Sequence, residues 1–396
     1  MTVGFRLLTL AAATCLAAPV AAHAQSAGGL ILESRLRYES VDQDGLAKDA
    51  GALTLRTRLG YQTPAWRGFR ALVEGENVTA LDDDYNSTTN LKTAYPVVAD
   101  PEATELNRAQ VSWTGERGGA TLGRQRIILG NARFVGNVGF RQNEQTFDAL
   151  RVDVRPTKDI AVTYAYVDKV LRVFGPDSAQ GEWDSRSHLM QLEAKTPAGQ
   201  VSLYGQLLDL PDAPAQSSAT FGVRLAGQRP LGGELSATYE AEYARQNDYA
   251  GNPAEFEVDY VAFSAGLKTP KRWASVGVER LDGDGRRGFQ TPLATLHAFQ
   301  GWADVFLTTP ADGVRDINLR GGATVTVAGR PLKLAAAVHG FSAGDGGQDY
   351  GREVDAALST PLTKRLSAEL KAAHFDGETP AYPDRTKVWV SLEFKL

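Results

Sequence analysis

The stretch Leu53-Thr54-Leu55-Arg56-Thr57-Arg58-Leu59-Gly60-Tyr61 decides the fold prediction, because its odd positions are mostly apolar and its even positions mostly polar. A period of two is typical of a β-strand whose two faces meet different surroundings, since successive side chains point to opposite faces. Similar alternation recurs in residues 33–40, 233–243, 354–358 and 366–372. Helical spacing of apolar residues at i, i+3 and i+4 is hard to find, so the chain is predicted to be all-β.

Counting such segments gives eighteen predicted strands, most of them near the ~9–11 residues that a tilted strand needs to cross a bilayer. The connections between them alternate in length. Eight connections are short turns, and seven of these carry a Pro directly after Thr or Arg, as in Thr63-Pro64. The connections that alternate with them are mostly long and polar, as in residues 78–104, 128–145 and 282–314. Pro ends a strand because it fixes φ and donates no ladder hydrogen bond. Short turns at one end and long loops at the other predict a transmembrane antiparallel β-barrel of about eighteen strands, of the outer-membrane porin type.

Composition excludes several other classes of protein. The 396 residues are 43% hydrophobic and 22% charged, with one Cys and a formal net charge of −5. This balance argues against disorder and against a disulfide scaffold, and the acidic total argues against a nucleic-acid partner. After residue 24 no apolar run approaches the ~18–20 residues of a membrane-spanning helix.

The first 24 residues are predicted to be a secretory signal peptide. Arg6 is followed by an almost wholly apolar run over residues 7–20, and Ala22-His23-Ala24 fits the small-residue cleavage pattern. Cleavage near Ala24 would leave residues 25–396 as a single barrel domain without cysteine. A lipoprotein acceptor at Cys15 is the alternative, and Thr14 before it fits that poorly.

The last eleven residues alternate as well. One face of the segment 386–396 is apolar and consists of Val388, Val390, Leu392, Phe394 and Leu396. A final strand of this kind resembles the signal that the outer-membrane barrel-assembly machinery recognises. An ordinary terminal edge strand is the alternative, but an exposed apolar edge of that length invites aggregation unless it closes a barrel.

The polar residues of each predicted strand are expected to point into the lumen, because an arginine on the lipid face near the midplane costs ~2–4 kcal/mol. The pore-lining candidates on the first six strands are Arg35, Arg37, Arg56, Arg58, Arg108, Arg124, Arg126, Arg151, Asp153 and Arg155. Pairing with Glu74, Glu76 and Asp153 would let single arginines merely brace the wall. As a set, however, these arginines outnumber the inward carboxylates of the same half, and guanidinium groups suit carboxylate or phosphate contacts. A ring of such groups in a water-filled pore selects anions.

Residues 122–149, LGRQRIILGNARFVGNVGFRQNEQTFDA, resemble the alginate-export porin family, as do the segments 35–39 and 54–61. The clear resemblance covers roughly residues 31–155. It implies an eighteen-stranded outer-membrane barrel with an arginine-rich constriction for anionic polyuronate. The constriction candidates that it carries over are Arg56, Arg58, Arg108, Arg124, Arg126 and Asp153. Arg133 and Arg141 lie in the loop 128–145, which is expected to fold over or into the pore.

One feature departs from the polymer-exporting members of that family, which have a long turn near the penultimate strand. Here the corresponding turn, residues 361–364, is short. We therefore expect a porin in the outer membrane of a Gram-negative bacterium that passes anionic solutes passively, in particular carboxylated sugars or oligosaccharides. The alternatives are an exporter of an intact anionic polysaccharide such as alginate, and a non-transporting adhesin or structural barrel. The expected partners are outer-membrane lipid, lipopolysaccharide and the anionic saccharide, and a monomer is expected.

Catalysis is not expected. Ser187 and His188 are adjacent in a predicted strand and so point to opposite faces, and zinc-protease, nucleophile-elbow and phosphate-loop patterns do not occur. Acidic loop clusters at residues 42–45, 82–84 and 282–285 have ligands suited to Ca²⁺, but none has the complete EF-hand spacing. Apart from this possible loop Ca²⁺, no cofactor or metal is expected.

Overall fold

The computed structural model describes residues 28–396, so the predicted signal peptide lies outside the described residues. The described part contains eighteen β-strands and two 3₁₀ turns, Pro214–Gln216 and Leu296–Ala298. The strands are β1 Gly29–Gln43, β2 Ala50–Gln62, β3 Phe69–Asp84, β4 Ala103–Gly115, β5 Gly118–Gln125, β6 Thr146–Val154, β7 Ile160–Leu171, β8 Glu182–Thr196, β9 Gly199–Leu208, β10 Ser218–Gly232, β11 Leu235–Asp248, β12 Glu257–Lys268, β13 Arg272–Leu281, β14 Val314–Val327, β15 Arg330–Ser342, β16 Asp349–Pro361, β17 Leu366–Gly377 and β18 Arg385–Lys395.

Each strand pairs antiparallel with its neighbours in sequence, and β1 pairs with β18 to close the sheet. The closing register runs from Glu33 opposite Lys395 to Gln43 opposite Arg385. The predicted eighteen-stranded antiparallel barrel is therefore confirmed. No helix among residues 28–396 is long and apolar enough to span a membrane.

The two faces of the barrel follow the alternation of the sequence. On β2, the inward-facing Arg56 and Arg58 are 1% and 4% exposed. The next residue, Leu59, points to the outer face and is 57% exposed. Burial of these polar positions means that other parts of the chain cover them inside the barrel. Trp66 and Trp113 are exposed on or beside the short turns, as expected of aromatic residues at a membrane interface.

Two of the long loops fill the lumen. Loop L3, residues 126–145, joins β5 to β6, and loop L7, residues 282–313, joins β13 to β14. Phe134 of L3 packs edge-on against Tyr260 of β12 at 5.2 Å between ring centroids, and Phe306 of L7 lies 4.8 Å from Phe341 of β15. The main apolar core thus lies inside the barrel, between the loops and the wall.

Candidate pore constriction

Loops L3 and L7 contact each other through their backbones. Gly136 N–H of L3 donates to the Leu293 carbonyl oxygen of L7 at 2.8 Å, and Thr295 N–H of L7 donates to the Ala132 carbonyl oxygen of L3 at 3.0 Å. A Cβ atom on Gly136 would lie 2.1 Å from Oγ1 of Thr295, so this approach requires glycine. The two loops therefore form one unit across the lumen.

Arginines of β1 hold L3 against the first strands. Nε of Arg35 donates to Oε1 of Gln142 at 2.9 Å and Nη1 to the Gly139 carbonyl oxygen at 3.0 Å. Arg37 donates to the carbonyl oxygen of Phe140 and to the Asp100 carboxylate. These two predicted pore-lining arginines therefore position the loop, and Arg37 is ion-paired.

Asp304 of L7 is the point where both loops and the wall meet. Its carboxylate accepts from Nη2 of Arg141 in L3 at 3.0 Å and from Nζ of Lys387 in β18 at 2.9 Å, and it lies 2.7 Å from Nδ1 of His297. Burial alone would raise the pKa of Asp304, but these three groups outweigh burial and hold the pKa well below its usual range. Asp304 is thus an anion that ties L3, L7 and β18 together.

The imidazole of His297 connects Asp304 to a buried lysine. Burial lowers the pKa of His297 to about 3, and the neighbouring Lys371 ammonium acts in the same direction. A neutral imidazole that donates from Nδ1 to Asp304 can accept at Nε2, and Nζ of Lys371 lies 2.5 Å from that atom. The same ammonium lies 3.7 Å from the ring centroid of Trp302 in L7.

Most inward arginines of β2–β5 and L3 are paired with carboxylates. Nη2 of Arg108 lies 2.6 Å from Oε2 of Glu74, and Nη2 of Arg126 lies 2.6 Å from Oε1 of Glu144. The other pairs inside the barrel are Arg58 with Glu76, Arg56 with Glu393 at 3.2 Å, Arg133 with Glu279 at 2.6 Å and Arg141 with Glu39 at 3.1 Å. Much of the positive charge predicted for the lumen is therefore locally neutralised.

Glu144 of L3 supplies one of these counter-charges. Burial alone would raise its pKa, but Arg58 and Arg126 outweigh it and lower the pKa to about 2. The loops thus bring carboxylates into the lumen, and these are missed when only the inward residues of the strands are counted.

Two predicted pore residues lie elsewhere. Arg124 shares the outer face of β5 with the exposed Leu122 and pairs with Asp148 at 2.8 Å, because both sit opposite each other on the lipid-side register of β5 and β6. Arg155 was predicted to face inward at the end of a strand over residues 146–155. Strand β6 ends at Val154 instead, and Arg155 is exposed in the following short turn.

Arg151 and Asp153 share the inward face of β6 near its short-turn end. Nη2 of Arg151 lies 2.8 Å from Oδ1 of Asp153, and both side chains are partly exposed. They form a pair near the short-turn end of the lumen.

Arg35, Lys371 and Arg385 are inward cations on the strands with no carboxylate oxygen within 4.0 Å among residues 28–396. Arg35 bonds only to an amide and to carbonyl oxygens, and Nη1 of Arg385 donates to the carbonyl oxygens of Ala303 and Asp304 at 3.1 and 3.0 Å. Neutral oxygens satisfy the donors without cancelling the charge. Lys371 and Arg385 were not among the predicted residues, although the alternation of β17 and β18 was visible in the sequence.

The wall formed by β8–β16 carries a different set of side chains. Its buried inward residues are mostly hydroxyl, amide and carboxyl groups: Ser185, Ser187, Gln191, Ser202, Gln206, Thr220, Glu242, Gln246, Glu279, Asp316, Glu353 and Asp355. Asp316 accepts from Nδ1 of His339 at 2.9 Å, whereas neither carboxylate oxygen of Asp355 has a hydrogen-bond partner.

The clearest acidic group is Asp82, Asp83 and Asp84, which lie at the end of β3 and not in a loop as predicted; one side-chain oxygen of each lies within 4.8 Å of the others. These residues are exposed, and Nζ of Lys92 lies 2.9 Å from Oδ1 of Asp83. Asp282 in the third predicted cluster lies 2.8 Å from Nε of Arg280. Side-chain cations thus already contact two of the clusters for which Ca²⁺ was considered.

No protein-family model matches the chain, and a comparison with curated proteins finds no match. Several solved structures are similar. OccAB4 of Acinetobacter baumannii has a TM-score of 0.73 at 12% identity over 94% of this chain and 98% of that chain. OccK9 (OpdG) of Pseudomonas aeruginosa has a TM-score of 0.73 at 16% identity, and OpdK of the same species, solved with vanillate, has 0.71 at 13%; each match covers 93% of this chain and 98% of the other.

At these identities the likeness shows the fold alone. It establishes that the chain has the closed eighteen-stranded, antiparallel, all-β architecture of outer-membrane porins. It does not single out alginate-export porins, so that narrower resemblance rests on the sequence.

Proposed function

We propose that the chain is a passive channel for anionic solutes, in particular carboxylated sugars or short oligosaccharides, in the outer membrane of a Gram-negative bacterium. The observation that carries this proposal is the set of three inward cations without counter-ions, Arg35, Lys371 and Arg385, at the places where L3 and L7 meet the wall. The closed sheet leaves no strand edge unpaired, which supports action as a monomer.

Only uncompensated charge attracts a solute over a distance. A guanidinium within ~3 Å of a carboxylate forms a pair with no net charge, and this pair acts on a distant solute only as a dipole. A guanidinium bound to carbonyl oxygens keeps its full charge. Arg35 and Arg385 also hold the forked donors that bind carboxylates. Such contacts must stay weak enough for the solute to leave again.

The loop arrangement favours small solutes over an intact polymer. L3 and L7 are hydrogen-bonded to each other across the lumen, and both are tied to the wall through Asp304. The solved OpdK structure with vanillate, which is a small carboxylate, supports this size class. We propose, on the same grounds, that the chain is a channel and not an enzyme.

Planar-bilayer recordings of the purified chain in a KCl gradient test the proposal. We expect a reversal potential of the sign that chloride-selective conduction gives, and a severalfold loss of anion preference in the triple variant Arg35→Gln, Lys371→Gln, Arg385→Gln. Arg186→Gln is the matched control, because Arg186 lies on the outer face and pairs with Asp209 at 2.8 Å. Cation selectivity, or an absence of conductance, contradicts the proposal.

The solute class needs a second measurement. Liposomes containing the chain are expected to swell faster in galacturonate than in galactose, since only the former carries a carboxylate. Equal rates would remove the anionic-sugar preference, and secretion of a polyuronate that stops in a deletion strain would favour the export alternative.

A further inference from the structure

A groove of small residues crosses the outer face of β13–β17. Ala274, Gly321, Ala336, Ala356 and Ala372 are direct cross-strand neighbours in register. Five strands at ~4.8 Å spacing make this row roughly 19 Å long. Large side chains such as Phe221 and Phe263 occupy the outer face of β10 and β12 instead.

Four residues of the row, Gly321, Ala336, Ala356 and Ala372, line an apolar cavity of about 450 Å³, and its lining also includes Leu334, Leu358 and Leu370. A void on a lipid-facing wall loses dispersion contacts unless an acyl chain fills it. The shape therefore suits hydrocarbon.

Two arginines lie on the same outer face, toward the long-loop end. Arg315 is on β14 and Arg352 is on β16, each beside an inward-facing buried residue, Asp316 and Glu353. Nε of Arg315 donates to Oγ of Ser342 at 3.2 Å. Neither arginine has a carboxylate oxygen within 4.0 Å in the described part of the chain, whereas Arg280 beside Arg315 is paired with Asp282.

The distance between cations and groove matches one membrane leaflet. Arg315 is six residues from Gly321 and Arg352 is four residues from Ala356, or about 20 and 14 Å along the strand at ~3.4 Å per residue. A strand tilt of ~40° reduces these distances to about 16 and 10 Å along the membrane normal. The hydrocarbon half of a bilayer is about 15 Å thick. A molecule with an anionic head at the arginines would place its acyl chains in the groove.

We propose that this face binds lipid A, the phosphorylated, multiply acylated anchor of lipopolysaccharide, with a phosphate at Arg315 and Arg352 and an acyl chain along the small-residue row. Guanidinium groups form bidentate contacts with phosphate, which gives the charge complementarity. The proposal rests on the proposed outer-membrane location. It does not depend on what the lumen conducts.

Native mass spectrometry of the detergent-purified chain, titrated with hexa-acylated bisphosphorylated lipid A, tests the site. The variant Arg315→Ala, Arg352→Ala is expected to weaken binding about tenfold or more, the change expected from losing one charge-assisted contact. The variant Ala336→Leu, Ala356→Leu fills the groove and is expected to weaken binding as well.

Matched controls separate the site from a general surface effect. Arg186→Ala removes a paired outer-face arginine, and Ala241→Leu enlarges an exposed outer-face residue of β11; both are expected to bind lipid A as the parent chain does. Phosphatidylglycerol is expected to bind more weakly, because it has one phosphate and two chains. Unfolded protein is recognised by the loss of the heat-dependent gel shift.

Equal lipid A binding by all variants, or equal binding of phosphatidylglycerol, overturns the proposal. A dimer signal that the leucine variant abolishes also overturns it, because the groove would then hold a second copy of the chain. Conductance in bilayers without lipid A should be the same in these variants, so failure of the channel and failure of the lipid site are distinguishable.

Discussion

The two sides of the lumen use charge in opposite ways. The basic wall, which we define as the inward side chains of β1–β4 and β6, is rich in arginine, and most of those arginines contact a carboxylate. The opposite wall, the inward side chains of β8–β16, is rich in hydroxyl, amide and carboxyl groups, and Asp355 there has no donor on either oxygen. The number of arginines on a wall is therefore a poor measure of its field, and the groups left without counter-ions decide it.

The position of the counter-ions explains this difference. L3 and L7 bring Glu144 and Asp304 to the basic side, where arginine and lysine residues surround them. The backbone of L7 both donates to the opposite wall and accepts from it: Ala303 N–H donates to Glu353 at 2.8 Å, and Nε2 of Gln246 donates to the Gln290 carbonyl oxygen at 2.8 Å. The field of the lumen is thus set jointly by wall and loops.

The largest expected effect comes from removing the group that ties both loops to the wall. Asp304→Asn removes one of the two buried carboxylates, Asp304 and Glu39, that Arg141 and Lys387 share, and breaking a buried ion pair typically costs about 3–5 kcal/mol. We expect a lower free energy of unfolding in a denaturant titration and a higher, noisier single-channel conductance. Asp49→Asn, at an exposed position between β1 and β2, is the control. Unchanged stability and conductance would mean that the loops hold their place without Asp304.

A smaller effect compares one uncompensated charge with one neutral pair on the basic wall. Arg35→Gln is expected to lower the ratio of anion to cation permeability severalfold, because it removes a charge that has no carboxylate oxygen within 4.0 Å. The pair deletion Arg108→Gln, Glu74→Gln is expected to leave that ratio nearly unchanged, because it removes no net charge. Reversal potentials in a salt gradient measure both. If the pair deletion lowers the ratio as much as Arg35→Gln, the distinction between paired and unpaired arginines fails.

The smallest effect belongs to the opposite wall. Asp355→Asn is expected to change the stability little, because neither oxygen of this buried carboxylate accepts a hydrogen bond and its contact with Nε2 of His339 is long, at 3.6 Å. Asp316→Asn is the matched variant and is expected to destabilise by about 1–3 kcal/mol, because His339 and Asn318 donate to that carboxylate. Denaturant midpoints measure the stability of both variants. A larger loss of stability for Asp355→Asn than for Asp316→Asn would contradict this prediction.

The barrel could be predicted from the sequence because strand periodicity and turn length are local signals. The inward direction of Arg56 and Arg58 followed from the same rule, since their strand runs without irregularity at that point. Arg124 obeys the alternation too, since it lies on the same face as Leu122. The prediction was wrong because it took arginine to point inward, whereas Asp148 pairs with Arg124 on the outer face.

The ion pairs inside the lumen could not be predicted from the sequence, for a different reason. Arg141 and Asp304 are 163 residues apart in sequence, and each lies in a loop without a repeating pattern. Which loops enter the lumen depends on their packing against each other. Close approaches such as that of Gly136 to Thr295 leave no periodic trace in the sequence.

The hydrogen-bonded seam between β1 and β18 has a kinetic consequence. Strand β1 can pair with its second neighbour only when residues 385–395 are available, and these contacts have the greatest separation along the chain. Folding rates fall as the mean sequence separation of contacts grows. Until β1 and β18 pair, the strands at both edges of the sheet can pair with strands of other chains. A chain that lacks β18 would remain an open sheet that is prone to aggregate.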